Sequence, residues 1–186
     1  AHLFKSKSLK QILSRLTTCP YRIATTGTLD GLLTHKLVIE GLFGPTKKVV
    51  TTKKLMERKL LSDLTIDCLM LSYNGTDRQF MRRTAYADEI EWIVTDNRRN
   101  QFVCDLAKQT KGNTLILFQF VEKHGKVLNE MLKDCGKPVH FVYGGTDAEQ
   151  REEVRGLVEK SDDSIIVASY GTFSTGVNIR RLNNIV

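Results

Sequence analysis

The sequence predicts an α/β protein in which a parallel sheet carries helices on both faces. Apolar runs of strand length recur in the second half of the chain, at residues 114–120, 139–143 and 164–169. Amphipathic segments of helical length separate these runs, and the loops after them are rich in glycine, serine and threonine. Alternation of buried strands with helices is typical of parallel sheets joined by right-handed crossovers.

The first half of the chain contains shorter elements. Leucine and isoleucine at helical spacing predict a helix over 5–17, which Pro20 ends. Up to residue 60, the other predicted elements are a buried strand at 21–24, a polar loop at 25–31, a short helix or turn at 36–43 closed by Gly44-Pro45, a brief strand at 49–51 and a helical turn at 53–59. A strand at 65–73, a turn at 74–77 and a helix at 78–93 follow.

The second half has a clearer periodicity. A helix over 97–109, with Phe102, Val103 and Leu106 facing inward, precedes the first apolar strand. A second helix is predicted at 123–134. Residues 146–149 read TDAE, a capping-box pattern that predicts the start of a third helix, which extends to about residue 160.

Composition excludes several classes of protein. The 186 residues are 41% hydrophobic, which is sufficient for a buried core, but the apolar runs are too short to span a membrane. The first ten residues lack the apolar stretch of a signal peptide, so we expect a cytoplasmic protein without membrane contact. The four cysteines and four histidines have no metal or redox spacing, which predicts free, buried or half-buried thiols and no metal site.

Positive charge is concentrated in the first third of the chain. The net charge is +7, and residues 1–60 contain twelve lysines and arginines against three acidic residues. Such asymmetry indicates an anionic partner, most commonly nucleic acid, although a solubilising lysine-rich face is the alternative.

Four polar loops follow predicted strands, at 25–28, 119–125, 144–147 and 169–176. Ligands of parallel sheets bind at the carboxyl ends of the strands. Glycine, hydroxyl and basic residues suit contacts to phosphates, but they are also ordinary turn residues.

Several motifs occur in these loops in a characteristic order. Residues 24–28 read ATTGT, 115–120 read LILFQF with HGK at 124–126, 143–146 read YGGT, and 169–179 read SYGTFSTGVNI. Together with GLFGP at 41–45 and TTKKLM at 51–56, this order resembles superfamily 2 helicases, and within them the UvsW-like phage helicases of recombination. The opening Ala1-His2 resembles the end of a D-E-x-H box. The resemblance implies RecA-like parallel sheets, with the end of the first motor domain at 1–60 and most of the second at 61–186.

The resemblance also implies roles for individual residues. Thr26, Gly27 and Thr28 would couple ATP turnover to DNA movement, the alternative for the threonines being cap and turn positions. Asn178 would face the nucleotide, where many relatives have aspartate. The residues that would contact the DNA backbone are Lys123, His124, Lys126, Gly144, Gly145, Ser174, Thr175 and Gly176. The alternative for Lys123, His124 and Lys126 is that they form a solvated first turn of a helix. Arg151 would belong to the YGGT signature, the alternative being an ordinary helix-surface residue. From their residue types alone, Tyr86 and Trp92 either stack on bases or pack in the core or an interface.

Three motifs of the family are missing from the printed sequence. No G-x-x-x-x-G-K-[ST] loop, acidic box or Q-x-x-G-R-x-x-R motif occurs. We therefore expect ATP and Mg²⁺ to serve the parent helicase, while the chain alone binds neither and does not hydrolyse ATP. The expected partner is branched or single-stranded DNA, with self-association through the faces of the incomplete domain. The alternative is a stand-alone, non-catalytic module that binds nucleic acid or a protein partner.

Overall fold

The chain folds into two units, which divide the sequence between Cys68 and Leu69. We call residues 1–68 the first unit and residues 69–186 the second unit. The structure is a computed structural model that describes residues 7–27, 33–173 and 178–186, without the side chains of Leu33 and His35.

The described part of the first unit contains three helices. They are α1 (Lys7–Arg15), α2 (Leu33–Phe43) and α3 (Thr52–Glu57). All three confirm predicted helical segments. Gly44 ends α2 with φ +89° and donates its N–H to the carbonyl of Glu40 at 2.8 Å. Thr51 caps α3 by accepting a hydrogen bond from the N–H of Lys54 at 3.3 Å.

The strands predicted at 21–24 and 49–51 are wrong. Both segments have irregular backbone, and Tyr21, Ile23 and Val49 expose 83%, 87% and 93% of their surface. A strand needs neighbouring strands for its N–H and C=O groups. No strand lies in the described part of the first unit. The apolar residues alone were therefore insufficient to produce strands.

Arg22 holds the 21–24 segment in place instead. Its Nη2 donates to the carbonyl of Leu16 at 2.6 Å, and its Nη1 donates to the carbonyl of Leu42 at 3.5 Å. These bonds tie the segment to the end of α2 and to the turn after α1.

The second unit begins with irregular chain and a pair of short helices. The strand predicted at 65–73 is wrong, since this segment is irregular and Met70 is 91% exposed. The helix predicted at 78–93 is divided into α4 (Gly75–Met81) and α5 (Tyr86–Thr95). The Oδ1 atom of Asn74 caps α4, and the Thr84 hydroxyl donates to the carbonyl of Met81 at 2.8 Å in the break.

Helix α6 (Asn97–Gln109) has the predicted bounds. Its buried face is formed by Asn100, Cys104 and Ala107, one position away from the predicted inward face. Phe102 is 39% exposed, because the helix turns its smaller residues toward the sheet.

Four parallel strands form the sheet of the second unit. They are β1 (Asn113–Phe118), β2 (Val139–Val142), β3 (Ile165–Ser169) and β4 (Leu182–Ile185), in the order β2-β3-β1-β4. Ile116 of β1 lies opposite Val167 of β3. β1, β2 and β3 confirm the predicted strands. β4 was not predicted because its sequence, LNNI, is short and half polar.

Helices cover both faces of this sheet. A π-helical turn (Val121–Gly125) leads into α7 (Lys126–Leu132), so the predicted 123–134 helix begins in a different geometry. The remaining helices are α8 (Ala148–Lys160) and α9 (Tyr170–Phe173). One buried cluster joins the sheet to α6 and α7, and another joins the opposite face to α8 and α9. The α/β class with helices on both faces is confirmed.

The capping box predicted at 146–149 has a different arrangement. Asp147 is the N-cap of α8 and makes no side-chain cap bond. The hydroxyl of Thr146 instead accepts a hydrogen bond from the N–H of Tyr143 at 3.1 Å, which closes the turn after β2.

Asn113 connects the strands at the opposite, amino-terminal edge. Its Nδ2 lies 2.9–3.0 Å from the carbonyls of Val158, Ser161 and Arg181, and its Oδ1 accepts the N–H of Ser164 at 2.9 Å. This buried amide satisfies polar groups from three segments and positions the chain that enters β4.

The four cysteines are free thiols. Cys104 is buried and Cys135 half-buried, as expected, but Cys19 and Cys68 are exposed, contrary to the prediction. No helix in the described ranges has the length and apolarity to cross a membrane.

Candidate nucleic-acid interface

The loops that follow β1, β2 and β3 lie at one edge of the sheet. These strands are parallel, so the segments 119–125, 143–147 and 170–173 all lie at the carboxyl edge. This is the edge at which ligands of parallel sheets bind. We call these three segments the carboxyl-edge loops.

The predicted coupling residues lie in the first unit. Thr26 and Gly27 are exposed in irregular chain after α1, and Thr28 lies outside the described residues. No strand precedes them in the described chain. Their role in coupling stays a prediction.

Two of the predicted DNA-contacting lysines form ion pairs at the carboxyl edge. Lys123 Nζ lies 2.7 Å from Glu91 Oε2 on α5, and Lys126 Nζ lies 2.8 Å from Glu122 Oε1. All four side chains are at least half exposed. Glu122 raises the pKa of Lys126 by a hydrogen bond and by its charge. Exposed ion pairs of this kind contribute little stability, so an incoming phosphate can replace either glutamate.

His124 lies beneath this turn and is only 6% exposed. Burial, with a smaller contribution from the Arg99 charge, lowers its pKa to about 4. The Nε2 atom lies 3.4 Å from Arg99 Nη1. The imidazole is therefore neutral at physiological pH, which fits a packing role, and its contact with DNA stays a prediction. Sequence reasoning missed Arg99, whose only signal was its place in the first turn of a helix that precedes the first strand.

Two glycines in these loops are required by packing. A Cβ on Gly125 would lie 2.5 Å from ring atoms of Phe118, and a Cβ on Gly145 would lie 2.7 Å from the ring of Tyr143. Gly144 has open space at its Cβ position. Only glycine lets the π-helical turn pack this closely on β1, whereas DNA contact by Gly144 and Gly145 stays a prediction.

The third carboxyl-edge loop begins with a hydrogen bond between hydroxyls. Ser169 Oγ and Thr172 Oγ1 are 2.7 Å apart, which stabilises the short helix α9 directly after β3. The remaining predicted contacts, Ser174, Thr175 and Gly176, lie outside the described residues.

Asn178 lines a cavity of about 490 Å³ between α8 and the segment that precedes β4. Arg151 and Arg180 line it as well, and the Nε atom of Arg151 is buried without a hydrogen-bond partner among the described residues. An unpaired buried donor is a feature of sites that accept an additional polar group. Sequence reasoning missed Arg180, although it stands two residues after Asn178 within the same motif region.

Carboxylates line this cavity in addition to the guanidinium groups. Glu152 and Glu159 line the same cavity and are held by Arg155 at 2.9–3.4 Å, so the lining combines both signs of charge. A phosphate chain requires a cradle of N–H donors and a lysine, and its Mg²⁺ requires carboxylates. In the described ranges, no group of three or more histidine, cysteine or acidic side chains is placed so that it could hold a metal ion.

The architecture and the arrangement of polar loops define the class of protein. The parallel sheet is covered by helices on both faces and carries basic and glycine-rich loops at its carboxyl edge, which is an α/β arrangement consistent with the RecA-like fold. The sequence relation agrees with this class, because the chain is homologous to a segment of an ATP-dependent DNA helicase.

The relative is the ATP-dependent DNA helicase uvsW of Enterobacteria phage T4. It is 33% identical over 188 aligned positions, which cover 100% of this chain and 37% of the relative. The crystal structure of T4 UvsW matches with a TM-score of 0.54 and 31% identity, over 61% of this chain and 23% of that one. No protein-family profile matches the chain. The resemblance to UvsW and the RecA-like fold are confirmed, and the chain spans little more than a third of the relative.

Proposed function

We propose that this chain is a segment of a UvsW-like superfamily 2 helicase and that it binds DNA through backbone contacts at the carboxyl-edge loops. The similarity to UvsW along the whole chain carries the proposal. The exposed, exchangeable ion pairs of Lys123 and Lys126 supply cations at the edge where a ligand of this fold binds.

In the parent helicase, residues 1–60 end the first motor domain and residues 61–186 form most of the second. ATP and Mg²⁺ drive the motor, Thr26, Gly27 and Thr28 couple it to DNA, and Asn178 faces the nucleotide. The substrate is branched DNA in recombination and repair, within the cytoplasm of a phage-infected host. The name of the relative supports ATP and DNA, and the motif resemblance supports the rest.

The DNA contact is tested by two lysines of one helix. Lys126 pairs with Glu122 at the carboxyl edge, whereas Lys133 pairs with Glu130 at the far end of α7, at 3.5 Å. In fluorescence anisotropy with labelled single-stranded DNA, Lys126→Ala should weaken binding. It should also reduce the slope of log K against log salt by about 0.7, since one phosphate contact is lost.

Lys133→Ala is the matched control, because it also removes an exposed, paired lysine. Lys123→Ala should behave like Lys126→Ala. If Lys126→Ala and Lys133→Ala weaken DNA binding equally, the lysines act only through net charge. The proposal that DNA binds at the carboxyl-edge loops would then be wrong.

We expect no ATP hydrolysis by the chain alone. The purified chain should show no DNA-stimulated phosphate release above that of a blank preparation, because the phosphate loop and the acidic box are missing from its sequence. Turnover that a substitution in this chain abolishes would contradict this expectation.

We also propose that the isolated chain self-associates. Large apolar side chains are exposed in the second unit, including Met70, Phe80, Tyr86, Tyr170 and Ile185. Exposed apolar surface of this kind favours association. Light scattering should show a mass that rises with concentration, and a constant monomer mass at high concentration would exclude the proposal.

A further inference from the structure

A second cavity lies within the second unit, away from the carboxyl-edge loops in sequence. It has a volume of about 390 Å³, within the range of about 300–1,000 Å³ that is usual for ligand pockets. Tyr73, Arg78, Arg82, Glu89 and Trp92 line it, so we call it the Trp92 cleft.

The aromatic wall of the cleft is a pair of rings. Tyr73 and Trp92 have centroids 5.0 Å apart and planes inclined at 61°, an edge-to-face contact. Such a pair uses at most one face of each ring, so the rings retain surface toward the cavity that they line. Both residues are half-buried. An aromatic ring held in this way is a platform on which a nucleobase stacks.

The rim of the cleft carries positive charge. Arg78 and Arg82 are exposed, and no ion pair holds either guanidinium within the described ranges. They stand four residues apart, at the end of α4, a spacing that brings Cβ atoms to about 5–6 Å on a helix. Two arginines so placed can contact successive phosphates of one strand.

The acidic residues of the lining form no ion pair with these two arginines in the described ranges. Asp77 accepts a hydrogen bond from Arg98 Nη2 at 3.0 Å, and the same Nη2 pairs with Asp96 at 3.0 Å, so Asp77 is directed toward Arg98 and is partly neutralised. Glu89 remains inside the cleft, where a carboxylate can accept hydrogen bonds from the exocyclic amino group of a base.

The cleft is also linked to the proposed DNA-binding edge through α5. Glu91 on this helix holds Lys123 of the π-helical turn at 2.7 Å, and Trp92 is the next residue. A DNA strand whose phosphate displaces Glu91 from Lys123 would therefore lie beside α5, the helix that carries Trp92.

We propose that the Trp92 cleft binds one unpaired base of single-stranded DNA, with Arg78 and Arg82 on the adjacent phosphates. The proposal rests on the proposed function for the identity of the nucleic acid. The base-stacking site would be separate from the backbone contacts of the carboxyl-edge loops. The second unit would then bind unpaired bases in addition to phosphates.

The sequence provides a direct probe, because Trp92 is its only tryptophan. Titration with an oligodeoxycytidylate, whose bases carry an exocyclic amino group, should quench tryptophan emission in a saturable manner. An abasic deoxyribose-phosphate oligomer of equal length should bind in anisotropy without that quenching. Quenching by the abasic oligomer to the same extent would overturn the proposal, since no base would then be responsible.

Arginine variants test the phosphate contacts. Arg78→Ala combined with Arg82→Ala should reduce the salt slope for single-stranded DNA by about 1.4, and should weaken quenching roughly fivefold or more in apparent Kd. Arg83→Ala is the matched control, because Arg83 is exposed beside Arg82 but does not line the cleft. All three positions are exposed, so these variants should fold, which circular dichroism can verify.

The outcomes separate this inference from the proposed function. One outcome is DNA binding in anisotropy that is weakened by Lys126→Ala but not by the Arg78→Ala/Arg82→Ala double variant, with unchanged tryptophan emission. This result would overturn the proposed base-binding role of the Trp92 cleft and leave the proposed carboxyl-edge contact intact. Absence of all DNA binding would contradict both. Saturable quenching that is lost in the arginine pair and kept in Arg83→Ala would establish the cleft.

Discussion

Ile66 and Ile166 stand in similar apolar runs of the two units and have opposite environments. Ile66, in the run TIDCLMLSY, is 76% exposed, whereas Ile166, in the run SIIVAS, is fully buried. The run of Ile166 forms β3, which pairs with β1 on one side and β2 on the other. The run of Ile66 has irregular backbone.

This difference indicates that an apolar run becomes a strand only where neighbouring strands pair with its backbone N–H and C=O groups. In the second unit, α7 and α8 return the chain to the same edge and place β1, β2 and β3 side by side. In the described part of the first unit, three helices are joined by extended chain, and no strand is present to start a sheet. Burial follows from pairing, because an unpaired buried backbone is costly.

The largest expected contrast between the units is thiol reactivity. Cys19 and Cys68 of the first unit are exposed, whereas burial raises the pKa of Cys104 in the second unit to about 11. A shift of about two units lowers the thiolate population about 100-fold, and exclusion of the reagent adds to this protection. In alkylation followed by peptide mass spectrometry, Cys19 and Cys68 should react at least about 100 times faster than Cys104.

Urea serves as the control for this contrast. In denaturant the three thiols should react at similar rates. Slow alkylation of Cys68 in the native protein would show that the segment before the second unit is covered in solution, and would weaken the contrast between the units.

The two isoleucines give the next largest effect. Ile166→Ala should destabilise the protein by about 2–5 kcal/mol, because it opens a cavity beneath α8. Ile66→Ala should change stability by less than about 0.5 kcal/mol. Urea unfolding followed by circular dichroism measures both. A cost at position 66 equal to that at position 166 would mean that the 65–73 run packs against other chain.

Two glycines in helical segments of the second unit should respond in opposite ways to substitution by alanine. Gly125→Ala should cost about 1–3 kcal/mol, since the new Cβ would meet the Phe118 ring at 2.5 Å. Gly156→Ala, in the middle of α8 with open space around it, should stabilise the protein by up to about 1 kcal/mol. Thermal unfolding of both variants should therefore give shifts of opposite sign. A neutral Gly125→Ala would show that Phe118 can move aside.

A further expected effect is a pH dependence of stability that arises from a buried histidine of the second unit. Burial holds the pKa of His124 near 4, below its ordinary value of 6.5, so the unfolded chain binds the proton more readily. The stabilisation is fully present above pH 6.5 and is lost as the pH falls toward 4. Between pH 7 and pH 5 the loss should be about 1–2 kcal/mol.

A substitution isolates this contribution. His124→Gln should flatten the stability profile over that range in urea titrations at several pH values. Burial also lowers the pKa of His140, so His140→Gln provides the comparison and should remove a separate part of the slope. An unchanged slope in His124→Gln would contradict the neutral, buried imidazole.

Much of the second unit was predictable because its signals are local. The bounds of α6 followed from the spacing of its apolar residues and the polar residues at its start. Its inward face was predicted one position away from the observed face, since spacing sets the period of a helix but not its rotation against a sheet. The carboxyl-edge loops followed from the parallel direction of the strands that alternation implies, while the order of the strands in the sheet was not predicted.

The sequence identified the lysines of the candidate site, but it did not reveal their ion-pair partners or the burial of His124. Lys123 and Lys126 were identified from a basic loop after an apolar strand, while their partners Glu91 and Glu122 depend on folded geometry. The burial of His124 required knowledge of Arg99 and of the π-helical turn. No pattern in the sequence distinguishes a buried histidine from an exposed one in such a loop.

The sequence by itself determined the α/β class, the order along the chain of three strands and the three helical segments at 97–109, 123–134 and 146–160, and the family resemblance. These properties depend on periodicity and on short motifs, which are local to the chain. Tertiary structure decided which apolar runs became strands, the pairing of the polar strand β4 beside β1, and the assembly of the Trp92 cleft from α4 and α5. Strand pairing and cavity formation join residues far apart in sequence, so their energies are set by neighbours that no local pattern contains.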